Sequence, residues 1–76
     1  MNEKEMRAGH VRIWDEQVEN LSRTLRGYEA LHQAKVTMPN DKGVDTIPGK
    51  IANAIDTIEE LKKHRALAQV RLDSTD

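Results

Sequence analysis

The sequence predicts an all-α protein, an antiparallel two-helix hairpin of the coiled-coil type that dimerises into a four-helix bundle. Two long segments repeat apolar residues every three or four positions, and one segment rich in turn-forming residues separates them. Charged residues make up 33% of the 76 residues and aromatic residues only 3%, a composition typical of exposed helices. We therefore expect a single domain over residues 1–76, with two helices and no sheet.

The first helix is expected over about residues 3–36. Asn2 and Glu5 have the spacing of a capping box, in which the Asn2 side chain accepts a hydrogen bond from a first-turn amide. No proline interrupts the segment until Pro39. Its apolar residues follow the a and d positions of a heptad repeat and comprise Val11, Trp14, Val18, Leu21, Leu25 and Tyr28.

Turn-forming residues predict a loop over about residues 37–47, followed by a second helix over about residues 48–72. Pro39 and Gly43 lie within the loop, and Pro48 fits the first turn of a helix, where its missing N–H costs no hydrogen bond. Asp45 or Thr46 is placed to cap the amides that follow. The apolar stripe of the second helix comprises Ile47, Ile51, Ala54, Ile58, Leu61, Ala68 and Leu72, and Ile55 widens it.

The position of the loop sets which residues of the two stripes should face each other. Antiparallel alignment from the loop predicts the pairs Ile51 with His32, Ile58 with Leu25, Leu61 with Leu21 or Leu25, and Leu72 with Val11 or Trp14. Five further apolar residues should lie beside this seam, namely Ile13, Leu31, Ile55, Leu67 and Val70.

The apolar stripes should be only partly covered, because each faces a single neighbouring helix. A core of this size rarely supplies more than about 3–5 kcal/mol, and the chain has no cysteine for a disulfide. We therefore expect a second copy, or a partner protein, to complete the core. Trp14 is the expected anchor, at the end away from the loop. The candidate interface comprises Val11, Trp14, Val18, Leu21, Leu25, Tyr28, Ile51, Ile55, Ile58, Leu61 and Leu72.

Composition and charge disfavour several other classes of protein. No stretch approaches the roughly 20 apolar residues that span a bilayer, and the first residues lack the pattern of a secretion signal. We expect a soluble, unprocessed protein in the cytoplasm. Its 12 basic and 13 acidic residues give a net charge of −1, and neither half of the chain is a basic arm or an acidic tail.

No arrangement of residues indicates an enzyme, a cofactor or a metal centre. His10, His32 and His64 are far apart in sequence, and no glycine-rich loop precedes a helix. The nearest metal motif is Glu29-Ala-Leu-His32, which places a carboxylate and an imidazole on one helical face, as in di-iron bundles. Such sites need a second carboxylate-histidine pair, and Glu60 with His64 should lie far from this end. We expect neither catalysis nor a bound cofactor.

The basic part of the second helix offers an alternative function. Lys62, Lys63, Arg65 and Arg71 are candidate phosphate contacts of a nucleic-acid-binding transcriptional regulator. Acidic residues directly precede this group, and no aromatic residue is interleaved for base stacking. A cationic last turn that complements the helix dipole is therefore the preferred interpretation.

Arg65 is unusual because it occupies a seam position in an apolar stripe. It should lie level with Asp15, Glu16 and Glu19, so an interhelical ion pair could fix the antiparallel alignment. In the alternative, its stem packs while the guanidinium reaches water. Of these two arrangements, the second is slightly favoured.

The loop and the helix that follows it share one further pattern. Met38-Pro39, Gly43 and Asp45 precede Ile51-Ala-Asn-Ala-Ile55 and Ile58-Glu-Glu-Leu61. Over about residues 28–65, this pattern resembles short phage and prophage proteins of uncharacterised function. The resemblance implies a helical hairpin with a regulatory, assembly or host-directed role, in the host cytoplasm if a phage encodes the chain. It transfers no catalytic or ligand-binding residue.

The expected function is therefore non-enzymatic. We expect a small phage-type regulator or adaptor, itself a homodimer, that binds a host or phage protein. Inhibition of a host defence or transcription protein would be one such role. Neither a membrane nor a small-molecule substrate is expected as a partner.

Overall fold

The computed structural model describes residues 2–75, which form two α-helices packed against each other in opposite directions. Helix α1 spans Glu3–Gln33 and helix α2 spans Ile47–Asp73, and residues 34–46 connect them. The Cα atoms occupy 55 Å along the hairpin and 17 Å in each of the other two directions. The predicted all-α hairpin is confirmed, while the helix bounds differ from the prediction near the loop.

Helix α1 begins at the predicted cap. Oδ1 of Asn2 accepts a hydrogen bond from the backbone N–H of Glu5 at 2.8 Å, which satisfies one of the free amides of the first turn. One turn further along, Arg7 forms an ion pair with Glu3. Such i,i+4 pairs add a few tenths of a kcal/mol to an exposed helix.

Helix α1 ends at Gln33, earlier than the predicted end near residue 36. Lys35 has a φ of 60°, in the left-handed region. The amides of Lys35 and Val36 donate to the carbonyls of His32 and Leu31 at 3.1 and 3.0 Å, which together make a Schellman motif. The predicted end was wrong because a lysine ends this helix in a conformation that glycine usually supplies.

The connection contains a compact hydrogen-bonded turn. Oδ1 of Asn40 accepts from the amides of Lys42 and Val44 at 2.9 and 3.1 Å. Gly43 supplies the positive φ, 78°, that the turn requires, and its amide donates to the carbonyl of Asn40 at 2.9 Å. The predicted loop is therefore a turn whose backbone conformation is fixed by hydrogen bonds.

Asp45 joins this turn to helix α2. Its Oδ1 accepts from the amides of Met38 and Ile47, each at 3.1 Å. These two bonds, with a smaller contribution from His32, lower the pKa of the Asp45 carboxyl. Thr46 directs its hydroxyl to the Met38 carbonyl at 2.7 Å, so Asp45 rather than Thr46 caps the helix. Helix α2 extends one residue beyond the predicted bounds at each end, to Ile47 and Asp73.

The core is a single row of side chains between the two helices. Among the residues described, Ile47 is the one large side chain that is fully buried, while Val11 and Ile58 are each 8% exposed. The other buried members of the row are Ala54 and Ala68, whose small side chains contribute little apolar area. The hairpin therefore has a thin core, as the one-sided stripes predict.

The two helices pair about one turn away from the predicted register. Trp14 lies against His64, and Leu72 shares a groove with Ala8 instead of reaching Trp14. The earlier end of helix α1, at Gln33, accounts for most of this shift because it brings the start of α2 opposite earlier residues of α1. Leu61 lies beside Leu21, which is one of the two predicted options. Leu72 with Trp14 is the displaced pair, while Ile51 with His32, Ile58 with Leu25 and Leu72 with Val11 stay predictions.

Candidate protein interaction surface

The predicted interface residues follow the contact between helices α1 and α2. Val11 and Ile58 are buried in this contact, and Ile55 is 42% exposed. The remaining residues of the predicted set are half-buried, so each packs within the hairpin and also keeps an accessible side. These half-buried residues are Trp14, Val18, Leu21, Leu25, Tyr28, Ile51, Leu61 and Leu72.

Large apolar side chains are exposed outside the seam. Ile13, Ile55, Leu67 and Val70 were predicted beside the seam, and all four are more than 40% exposed, whereas Leu31 is half-buried. The sequence pattern does not single out the others, because they lie near a helix end or in the loop, where no helical repeat applies. The full exposed set within residues 2–75 is Met6, Ile13, Val36, Met38, Val44, Ile55, Leu67 and Val70.

Trp14 and His64 form a stacked contact between the helices toward the open end, the end of the hairpin away from the loop. Their ring centroids are 4.9 Å apart and their planes are inclined by 15°. Ile13 and Leu67 flank the stack and are 51% and 55% exposed. We define the Trp14 groove as the concavity lined by Arg7, His10, Trp14, His64, Leu67, Ala68 and Arg71.

The Trp14 groove is cationic. Nη1 of Arg7 donates to the backbone carbonyl of Arg71 at 2.6 Å, which ties the two helices together near the open end. Nη2 of Arg7 pairs with Glu3, but within residues 2–75 no carboxylate lies within ion-pair distance of the Arg71 guanidinium. Arg71 therefore leaves positive charge at this end.

The same side of the seam continues toward the loop with uncharged residues. A shallow groove is lined by Leu21, Thr24 and Thr57, together with Gln17, Asn20 and Leu61. It leads to Tyr28, where Nζ of Lys50 lies 5.5 Å from the ring centroid. We call this whole side, from the Trp14 groove to Tyr28, the grooved face.

The opposite side of the seam carries an ion pair between the helices. Nε of Arg65 donates to Oδ1 of Asp15 at 2.9 Å, with side chains 39% and 55% exposed. Because consecutive residues of a helix point about 100° apart, this contact and the Trp14–His64 stack lie on opposite sides of the seam. Arg65 thus forms the ion pair, and the slightly favoured alternative, a guanidinium that only reaches water, was wrong.

The four candidate phosphate contacts do not share one surface. Lys62 and Lys63 are exposed but point about 100° apart, and Arg65 is engaged by Asp15. Arg71 instead joins Arg7 and His10 in the Trp14 groove. The signal for this second cluster was present in the three- and four-residue spacing of Arg7, His10 and Trp14, but it depends on the register that brings α2 alongside.

The candidate metal motif remains incomplete in the folded chain. Glu29 and His32 are exposed, and His64 is stacked against Trp14 at the other end of the hairpin. In the part of the chain that the structure describes, no three or more His, Asp or Glu side chains are grouped so that they could hold a metal ion.

Comparisons with protein-family models, with curated proteins and with solved structures find no match for this chain. Within residues 2–75, neither helix contains an apolar stretch of the length that a bilayer crossing requires.

Proposed function

We propose that the chain is a non-enzymatic protein interaction module that forms a homodimeric four-helix bundle. The observation that carries this proposal is the set of eight large apolar side chains that are at least 40% exposed within residues 2–75. Against these, Ile47 is the one large side chain of the same residues that is fully buried. A second hairpin would cover those of the eight that lie on the face it packs against.

The energetics favour a bundle over an isolated hairpin. Burial of apolar surface contributes about 25 cal/mol per Å², and side chains as exposed as Ile13 and Leu67 leave most of that contribution unrealised. Folding of a chain this small on its own core leaves only a few kcal/mol. Because a binding partner stabilises the folded state by mass action, dimerisation adds directly to that margin.

The biological role we attach to this module is that of a phage-type regulator or adaptor that binds a host or phage protein in the cytoplasm. The support for binding a further protein is the set of exposed apolar side chains that lie in the connection, outside the grooved face, namely Val36, Met38 and Val44. Exposed apolar patches on a folded chain are typical of interaction sites.

Sedimentation velocity at low micromolar concentration tests self-association. We expect the mass of a dimer, and Trp14→Ala should raise the dissociation constant about tenfold or more because it removes the anchor of the interface. Met38→Ala is the matched control, since Met38 is 40% exposed in the connection, outside the grooved face, and its removal should leave the dimer unchanged. A wild-type chain that is a folded monomer at these concentrations would overturn the proposal.

A second candidate function is nucleic-acid binding, and the cationic Trp14 groove is the observation that favours it. Retention on immobilised duplex DNA at low salt is the test, because phosphate contacts weaken as salt rises. Arg71→Glu should abolish retention if the groove binds phosphate, whereas Lys62→Glu with Lys63→Glu should abolish it if the exposed lysines do. A wild-type chain that elutes without delay rules out both versions.

A further inference from the structure

The exposed edge of helix α2 changes charge along its length. Asp56, Glu60, Lys63, Leu67 and Arg71 follow one another at intervals of four, three, four and four residues on an unbroken helix, a spacing that places all of them along one stripe. Leu67 and Arg71 of this stripe line the Trp14 groove. The stripe is therefore acidic toward the loop and basic toward the open end.

Helix α1 adds to the basic half of this surface and not to the acidic half. Arg7 and His10 line the Trp14 groove together with Arg71. Further toward the loop, the residues of α1 on the grooved face are the uncharged Gln17, Asn20 and Thr24. The grooved face thus has a positive end and, along α2, a negative middle.

We propose that two copies pair antiparallel through their grooved faces, with the two-fold axis passing close to Trp14. This inference rests on the proposed self-association and specifies its geometry. In such a pair, helix α2 of one copy lies on α2 of the other, and Arg71 faces Asp56 of the second copy. The midpoint between Asp56 and Arg71 falls beside His64, which is stacked on Trp14. Asp56 and Arg71 thus form two pairs of opposite charge across the interface, Glu60 lies opposite Leu67, and the two Lys63 side chains lie near the axis.

Parallel pairing of the same faces brings like charges together. In that arrangement α1 of one copy lies on α2 of the other at the same height. Arg7 would then face Arg71 of the second copy, and Asp56 would face the uncharged Thr24. Like-charge contacts across an interface are repulsive, whereas the antiparallel arrangement pairs Arg71 with Asp56 and leaves Arg7 opposite uncharged residues of α1. Charge complementarity thus selects the antiparallel pair.

The contact has the size of a specific interface. Centred near His64, the overlap extends over residues 53–75, which are the last 21 residues of α2 and the two that follow it, about 34 Å at 1.5 Å per residue. With the 17 Å width of the hairpin, this gives a footprint of roughly 600 Å² on each copy. That area lies at the lower end of the range for stable complexes, and the two loops project from opposite ends of the bundle.

Charge reversal tests the facing of Asp56 and Arg71. Asp56→Arg and Arg71→Asp should each raise the dimer dissociation constant about tenfold, because each places like charges face to face. The double variant should return it to near the wild-type value. The matched control combines Arg12→Asp with Glu16→Arg, two exposed residues of α1 away from the grooved face, and should change nothing. Failure of the double variant to restore dimerisation would overturn the pairing.

Orientation is measured directly by energy transfer, since the chain contains no cysteine and single labels are unambiguous. Donor-labelled Asp41→Cys is mixed with acceptor-labelled Thr75→Cys. The antiparallel pair puts the loop of one copy about 20 Å along the axis from the open end of the other, whereas a parallel pair separates them by about 50 Å. Strong transfer in this mixture and weak transfer between two Asp41→Cys copies is the expected result.

The outcomes separate the two proposals. Strong transfer between two Asp41→Cys copies, with weak transfer to Thr75→Cys, would overturn the antiparallel geometry and leave self-association intact. Absence of transfer in both mixtures, together with a monomeric mass in sedimentation, would overturn both. Circular dichroism is measured on each variant. A helix content equal to that of the wild-type chain excludes unfolding as the cause of a lost signal.

Discussion

The closed end of the hairpin, which contains the loop, and the open end are built in different ways. At the closed end, Asn40 and Asp45 each accept two backbone amides, and Ile47 is fully buried. At the open end, the Trp14 stack, the exposed Asp15–Arg65 ion pair and one bond from Arg7 join the helices, and the apolar side chains Ile13 and Leu67 are more than half exposed. At the closed end, residues close in sequence satisfy the backbone amides. At the open end, apolar side chains remain exposed to solvent and are available to a second chain.

The strongest test of this contrast removes the buried residue of the closed end. Ile47→Ala should lower the free energy of unfolding by about 2–4 kcal/mol, because it deletes a fully buried side chain from a thin core. Urea denaturation followed by circular dichroism measures the change. Val44→Ala, at a residue 59% exposed in the same connection, should cost less than about 0.5 kcal/mol. Equal costs would show that the closed end is not anchored by Ile47.

The hydrogen bonds of the turn should matter next. Asn40→Ala removes the acceptor shared by the amides of Lys42 and Val44, and we expect a loss of about 1 kcal/mol of stability. Asp41→Ala alters the neighbouring residue and should be nearly neutral. Thermal unfolding of the two variants, compared at one concentration, gives the difference. A neutral Asn40→Ala would mean that the turn follows from helix packing alone.

A glycine in place of Lys35 should change the stability of the hairpin by a smaller amount and in the opposite direction, because it removes the steric cost of the positive φ. Lys35→Gly is expected to stabilise the hairpin by about 0.5–1 kcal/mol, because glycine adopts the positive φ of 60° without the steric cost of a Cβ. Lys35→Ala keeps the Cβ and should not stabilise. Urea denaturation midpoints distinguish them. A Lys35→Gly variant less stable than Lys35→Ala would contradict the Schellman end of α1.

The smallest effect is expected from the ion pair on the side opposite the Trp14 groove. A double-mutant cycle with Asp15→Asn and Arg65→Gln should give a coupling below about 0.5 kcal/mol that falls further in high salt, since both side chains are well exposed. A coupling several times larger would place a main determinant of stability near the open end and would weaken the contrast between the ends.

Most of the fold can be predicted from short-range sequence patterns. The heptad spacing from Val11 to Tyr28, the cap at Asn2 and the proline at position 48 are enough to predict two helices and a turn between them. The end of α1 is not predictable in this way, because it depends on Lys35 adopting a conformation that its residue type disfavours. Because α1 ends there, the start of α2 lies opposite earlier residues of α1, so this helix end also contributes to the register of the two helices.

The candidate site was harder to predict from the sequence, because its residues come together only in the observed register of the two helices. Trp14 could be recognised as an anchor because of its size, but its partner His64 depends on the register. The cationic cluster of Arg7, His10 and Arg71 joins residues more than 60 positions apart, and no local pattern connects them. The charge reversal along α2, in contrast, is readable from the spacing of Asp56 and Arg71 once the helix is known.

The tight turn around Asn40 has a consequence for the order in which the protein assembles. In an antiparallel hairpin, the chain that must be closed to form each contact lengthens steadily from the turn outward, and the entropy of closure grows with it. Contacts near the turn therefore form first on folding and open last, whereas Arg7 and Arg71 meet only after the rest of the seam has closed. In hydrogen exchange at concentrations too low for self-association, amides of α2 near Ile51 should be protected longest and those near Arg71 should exchange soonest.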